Sequence, residues 1–500
     1  MSLVFKMKCV LEYLENINNH NKVIDINGSF TYQEVLEKAR KIGSYLGRLV
    51  LRNKPVPVFM EKSKETVVTF MGILYAGSFY SLLNAGLPEV RLKQIMNVLD
   101  VDYLVTDYEH LSDAQKMFPD KKIYLYEEMV KEDVNDELLS SIRKRMLDSD
   151  PVYANFTSGS TGIPKGVVVG NRSIIDFIDT FVDTFNIDSI DVIANQAPFD
   201  FDVSVKDIYS ALKTGATLVI VPKEYFSKPT LLIEYLITNK VTTLIWAVSA
   251  LCLISTFHAL DYKTPNSINK VLFSGEVMPL KHLKIWMDHL PEATFVNLYG
   301  PTEITCNCTY HVIDKAREYT KIPIGQPFNN EEIILIAENN EIVNDDLQKG
   351  EICVRGNTLA LGYYRNLEQT NKVFVQNPTN HEYRDVIYKT GDIGYYENGE
   401  LYFGGRKDFQ IKYLGHRIEL EEIDKAIGDI EGIIRSVVIF KEEKNQLVAF
   451  YMGNVDEKEL YELLVKQLPI FMVPKKLKKV EDFPLTKNGK IDRKQLEVMI

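Results

Sequence analysis

Apolar positions along the chain fall into short continuous runs that alternate with stretches of helical spacing. Residues 55–60 read as a strand and 65–76 as a helix, and residues 101–106 read as a strand before a polar, helix-prone stretch. The same alternation pairs 216–221 with 230–238, and 242–247 with 250–257. Short unbroken apolar runs separated by helices predict α/β layers with mainly parallel strands, because such strands are covered on both faces.

From about residue 322 the texture changes. Runs at 333–336, 350–355 and 399–403 are separated by Gly and Asn turns and predict a β-rich subdomain over 322–403. Residues 404–408 pair two glycines with charged residues, which suits a hinge. After it, helical patterns at 419–428 and 458–468 frame strand patterns at 436–440 and 446–452. The expected organisation is an N-terminal α/β region over 1–403, a hinge over 404–408, and a small mobile α+β domain over 409–500.

At 500 residues the chain is too long for one core. A formal charge of −11 argues against general nucleic-acid binding and against an anionic membrane surface. The five cysteines are scattered and odd in number, which is no disulfide framework. Cys306 and Cys308 have no second pair at metal-ligand spacing. The N-terminus carries Lys6, Lys8, Glu12 and Glu15 through its apolar positions, and no apolar run is long enough to span a membrane. The expectation is a cytoplasmic protein without membrane insertion.

One run points to chemistry. Thr157, Ser158, Gly159, Ser160, Thr161, Gly162, Ile163, Pro164, Lys165 and Gly166 lie between two β-prone segments. Glycines let backbone N–H groups converge on an anion, the hydroxyls add donors, and Lys165 adds a point charge. The order of a Walker A loop is absent. Alone, such a run is as often a polar linker.

The run resembles the signature of the adenylate-forming superfamily, which includes acyl-CoA ligases and peptide-synthetase adenylation domains. Four further motifs resemble that family's in order. They are Tyr299-Gly300-Pro301-Thr302-Glu303, Tyr388-Lys389-Thr390-Gly391-Asp392, the segment from Gly405 to Lys412, and Asn488-Gly489-Lys490-Ile491-Asp492-Arg493. The resemblance implies ATP and Mg²⁺ as cofactors and the family's fold. It implies that Thr302 bonds an α-phosphate oxygen, that Glu303 holds Mg²⁺, and that Tyr299, Gly300 and Asn297 face adenine. Asp392 is then placed on the ribose, and Arg406 near ribose or phosphate. Lys490 bridges the attacking carboxylate and the phosphate. The small domain swings about Asp408 between adenylation and thiol transfer.

The segment Phe199-Asp200-Phe201-Asp202-Val203-Ser204 resembles the one with which amino-acid-activating members bind the substrate ammonium, here through Asp202. The alternative is that Asp202 caps a helix. Residues 195–199, 274–279 and 415–423 resemble the D-alanine–D-alanyl carrier protein ligases, which load a carrier protein's phosphopantetheine thiol in teichoic-acid modification. The resemblance thus implies a small amino acid, D-alanine first, and a phosphopantetheinylated carrier protein as partner. A stand-alone peptide-synthetase-type domain for another amino acid, or an acyl-CoA ligase, is the alternative. Lys206 and Ser274 depart from those ligases, where an apolar residue and a Cys stand. Lys206 in the pocket would suit a polar or acidic side chain, or would snorkel to solvent. Cys306 is expected to line the pocket without thiol chemistry.

Overall fold

The computed structural model describes residues 9–49, 51–159, 162–343, 345–484 and 491–500. They divide into two compact units. The first comprises Met1–Ala85, Val101–Asn155 and Val167–Lys407; the second comprises Gly86–Asp100, Phe156–Gly166 and Asp408–Ile500.

Two large sheets dominate the first unit. The seven-stranded sheet is built on Pro55–Phe59, which has Phe79–Leu82 on one side and Tyr103–Thr106 on the other, both parallel. Every residue of Pro55–Phe59 is buried, as expected of a central strand covered on both faces. The nine-stranded sheet has a parallel middle, running from Lys22–Asp25 through Thr217–Ile220, Val192–Asn195, Thr243–Ala247 and Lys270–Ser274 to Thr294–Tyr299. Hairpin strands close both its edges antiparallel. Strands expected from the run pattern at 55–60, 216–221 and 242–247 appear within a residue or two of those positions.

Helices flank these strands for readable reasons. Helix Tyr32–Gly47 opens on a capping box, in which Thr31 accepts from the Glu34 amide and Glu34 answers the Thr31 amide. It crosses helix Lys64–Tyr75 where Gly43 and Gly72 face the other helix. A Cβ on Gly72 would stand 2.5 Å from Ile42, and one on Gly43 would stand 2.4 Å from the Tyr75 Cβ. Glycine there is a condition of the close crossing.

The β-rich region is a five-stranded antiparallel sheet in which Val386–Glu397 pairs with Gly350–Gly356, Phe374–Gln376 and Glu400–Arg406. The second unit holds a three-stranded sheet (Ile433–Lys441, Gln446–Gly453, Lys476–Lys479) and a ribbon (Gln410–Tyr413, His416–Glu419). Helices Leu420–Gly428 and Glu457–Gln467 bury Leu420, Ile423, Ile427, Leu460 and Leu464 in its core. Helix Glu89–Leu99 packs on Glu457–Gln467 within the same unit, although about 360 residues of chain separate them. Among the described residues no helix is long and apolar enough to cross a membrane.

Candidate active site

Asp202 stands immediately before helix Val203–Thr214. It occupies the N-cap position, yet its side chain makes no capping hydrogen bond, so the capping explanation for this residue is not met. Its carboxyl bonds the Thr302 side chain instead. Burial pushes the carboxyl up; the Thr302 bond and then the Lys206 charge pull it back toward the ionised form. Asp200, two residues earlier, accepts from Asn84 Nδ2 at 3.1 Å and is pushed up to about 6 by burial.

Lys206 lies one helical turn after Asp202, on the same face. It is 0% exposed, so the snorkelling alternative is overturned: the ammonium stays in the interior. Its Nζ donates to Asn307 Oδ1 at 2.6 Å and to Ser274 Oγ at 3.3 Å. Burial pulls the ammonium below its ordinary range, while Cys306, Asp202 and Asp207 act against that. Asp207 is itself fully buried and accepts from Asn195 Nδ2 at 2.7 Å. Lys62 donates to Asn195 Oδ1 at 3.2 Å and to the Gln196 carbonyl at 2.8 Å, and burial lowers it to about 7.

The turn after Thr294–Tyr299 brings these groups together. Thr305 and Cys306 are both left-handed, at φ 56° and 82°, a costly conformation for residues with side chains. A Cβ on Gly300 would meet the Asn307 Cα at 2.5 Å, so only glycine lets the chain fold back this tightly. The Cys306 thiol donates to the Asp202 carbonyl at 3.1 Å and is pushed well up by burial, which disfavours the reactive thiolate. Glu303 is fully buried and accepts from the Tyr363 hydroxyl at 2.7 Å.

A second cluster lies further along the same unit. Tyr299 donates its hydroxyl to Asp392 Oδ2 at 2.6 Å, and Arg406 pairs with the other Asp392 oxygen. The Asp392 amide bonds Thr390 Oγ1 at 2.9 Å, which fixes the carboxylate's backbone. Asn297 donates to the Pro323 carbonyl at 2.8 Å.

The described part of the glycine-rich run belongs to the second unit. Ser158 Oγ donates to the Arg417 carbonyl at 2.8 Å, and the Gly159 amide donates to Glu422 Oε2 at 3.1 Å. Lys165 stands 3.4 Å from Glu419. Thr157 Oγ1 is buried with no hydrogen-bond partner. Gly162 is left-handed, at φ 78°. These are amide, hydroxyl and ammonium donors, the set an anion needs, and carboxylates of the same unit already engage two of them. Asp408 is exposed and accepts from the Gln410 amide at 3.2 Å. Ser160, Thr161 and Lys490 lie outside the described residues.

The residue order of these clusters matches a known family. The AMP-binding enzyme model matches residues 14–364. This chain belongs to the AMP-binding enzyme family. Its members form adenylates, and the chain is an adenylate-forming ligase by that membership. It is 31% identical over 490 residues to the D-alanine–D-alanyl carrier protein ligase of Staphylococcus aureus strain MRSA252, covering 94% of each chain. Solved AMP-binding enzymes share its fold. The Vibrio cholerae adenylation domain AlmE, in complex with glycyl-adenosine-5'-phosphate, superposes with a TM-score of 0.83 at 22% identity over 100% of this chain and 99% of its own. The o-succinylbenzoate CoA synthetase of Bacillus subtilis gives 0.83 at 18% identity over 97% of each. The family and fold expected from the five motifs are thereby met.

Several residues escaped the sequence reading. Asn307 and Asp207 adjoin residues that were singled out, but nothing in their spacing marks them. Tyr363 reaches Glu303 from 60 residues away, where no local signal exists. For Mg²⁺, no group of three ligating side chains occurs among the described residues. Glu303 is a lone buried carboxylate, which fits an ion that takes one or two protein carboxylates and completes its shell from phosphates and water.

Proposed function

We propose that the enzyme joins ATP to the carboxylate of a small amino acid, D-alanine being the first candidate, and passes the aminoacyl group to a carrier protein's phosphopantetheine thiol. The observation that carries the amino-acid part is Asp202, a half-buried carboxylate at a helix start that makes no capping bond and that burial raises against the opposing pull of Thr302 and Lys206. A buried carboxylate calls for a cationic partner, and an α-ammonium supplies one.

In the first step a substrate carboxylate oxygen attacks the α-phosphorus, a P–O bond forms, and the bond to pyrophosphate breaks. In the second the thiol sulfur attacks the acyl carbon, AMP leaves, and the thiol proton goes to solvent. Asp202 orients the amine so that the carboxylate points away from it. Thr302, whose hydroxyl bonds Asp202, would turn that single proton to the phosphate once the substrate ammonium takes its place on the carboxylate. Asp392, fixed by Thr390 and Arg406, offers its oxygens to the ribose, and Tyr299 and Asn297 flank the base. The run 157–166 receives the phosphate tail, and Lys490 serves between the two anions. Bound Mg²⁺, held by Glu303, would neutralise phosphate charge. A domain swing at 404–408 would separate the steps. The carrier-protein partner and the D-alanine candidate rest on the names of the relatives, and a cytoplasmic location is the reading consistent with them.

The test is amino-acid-dependent ATP–pyrophosphate exchange over a panel of D- and L-amino acids. Asp202→Asn should lower kcat/KM for the preferred amino acid by about 100-fold, the scale of an unpaired buried charge. An unchanged value in that variant would remove Asp202 from the ammonium role. Exchange that responds to simple carboxylic acids but to no amino acid would favour the CoA-ligase alternative.

A further inference from the structure

The most unusual residue of the first unit is Lys206. A lysine with no exposed surface is rare and costs desolvation, so its place needs a reason. We propose that Lys206 is a filler: its stem and ammonium occupy the space behind Asp202 and hold the accepted side chain to about the size of a methyl group. This rests on the amino-acid-activating reading and deepens it from "small" to a stated cause of smallness.

Four observations carry it. Lys206 follows Asp202 by one turn on the same helix face, so its stem lies next to the group that receives the substrate's ammonium. The ammonium is already engaged by Asn307 at 2.6 Å and Ser274 at 3.3 Å, both neutral acceptors. Those partners are themselves buried, at 2% and 4% exposure, so the ammonium end of Lys206 sits in packed protein. The backbone spends strain to deliver one of them: Thr305 and Cys306 are left-handed, and Gly300 admits the close return that sets Asn307 on the ammonium.

An anion receptor would be built differently. A lysine that selects an acidic side chain presents its charge toward the ligand, whereas Lys206 is 0% exposed and turned into two chain acceptors. Its charge has a local use, because Asp202 and Asp207 both lie within electrostatic reach. Lys206 thus serves as a positioning and specificity-determining residue: its charge acts against the rise that burial imposes on the Asp202 carboxyl, and its stem leaves little room beyond a β-carbon.

The experiment measures exchange kcat/KM for alanine, 2-aminobutyrate, norvaline, leucine, aspartate and glutamate in both stereochemical forms. The readout is the ratio of larger to alanine-sized substrate within one preparation, so a reduced folded fraction cancels. In Lys206→Ala, and in Lys206→Leu should the first not fold, the norvaline-to-alanine ratio should rise at least 10-fold, the lower end of what one methylene is worth in a pocket. Lys206→Met keeps the stem volume and should hold the ratio within about 3-fold. An unchanged ratio in the shortened variants overturns the filler role. So does a wild-type preference for aspartate or glutamate that Lys206→Met abolishes, which would make Lys206 an anion receptor. Exchange with no amino acid at all defeats the amino-acid reading itself, and the inference with it.

Discussion

Single residues show where local pattern stops being informative. Asp202 and the run around Gly159 could be found because each sits in a contiguous motif whose chemistry is local. Lys206 could be read either as a pocket residue or as a snorkelling one, because the acceptors that hold it arrive from 68 and 101 residues away. A helix-spaced lysine reads as a solvated stem unless the tertiary partners are known. His416 makes the same point with a measurable consequence. It stacks on Phe471 with ring centroids 3.4 Å apart, and burial lowers it from 6.5 to about 3. Between those values the unfolded chain binds the proton and the folded chain does not. The contribution to stability is therefore full above pH 6.5 and is lost as the pH falls toward 3. Urea unfolding of the second unit across pH 4–7 should show this decline, and His416→Phe should flatten it; an unaltered slope in that variant would place the titration elsewhere.

At the level of elements, the strands and helices were legible because each has its own period, and the boundaries moved by one to three residues. What the period does not carry is membership. Helix Glu89–Leu99 sits early in the chain but belongs with the second unit, and its anchor is an ion pair. Arg91 Nη1 meets Glu422 Oε1 at 2.6 Å with both side chains buried. Burial lowers the guanidinium and raises the carboxyl, so each group depends on the other to stay charged. Removing one partner should hurt more than removing both. Arg91→Met alone is expected to cost about 3–5 kcal/mol, and the double variant with Glu422→Leu distinctly less, by denaturant titration. Equal costs for the single and double variants would mean that the pair is not coupled.

At the scale of the whole molecule, the alternation of strand and helix indicated α/β layers, and the shift near 322 indicated the antiparallel sheet. The order of strands within the two large sheets was not readable, because it is decided by crossover packing over hundreds of residues. One practical asymmetry follows from composition and fold together. The chain has two tryptophans, and Trp246 and Trp286 are both fully buried in one cluster of the first unit. Their indole N–H groups donate to the Ala194 and Leu251 carbonyls at 2.7 and 3.0 Å. Tryptophan emission should therefore start blue-shifted and report unfolding of the first unit alone. The Leu420–Gly428 and Glu457–Gln467 helices contribute to far-ultraviolet circular dichroism but not to that signal. A chain with both tryptophans replaced by phenylalanine should lose the emission change and keep the dichroism change.

The glycine-rich run has one more implication. Its Gly159 amide and its Lys165 ammonium already face Glu422 and Glu419. An incoming anion would thus swap places with a resident one instead of filling a vacancy. Affinity would then be diluted by the fraction of molecules in which the resident carboxylates have let go. On the proposed phosphate role of the run, replacing Glu422 and its partner Arg91 together, so that neither buried charge is stranded, would tighten nucleotide binding without adding a single contact to the ligand.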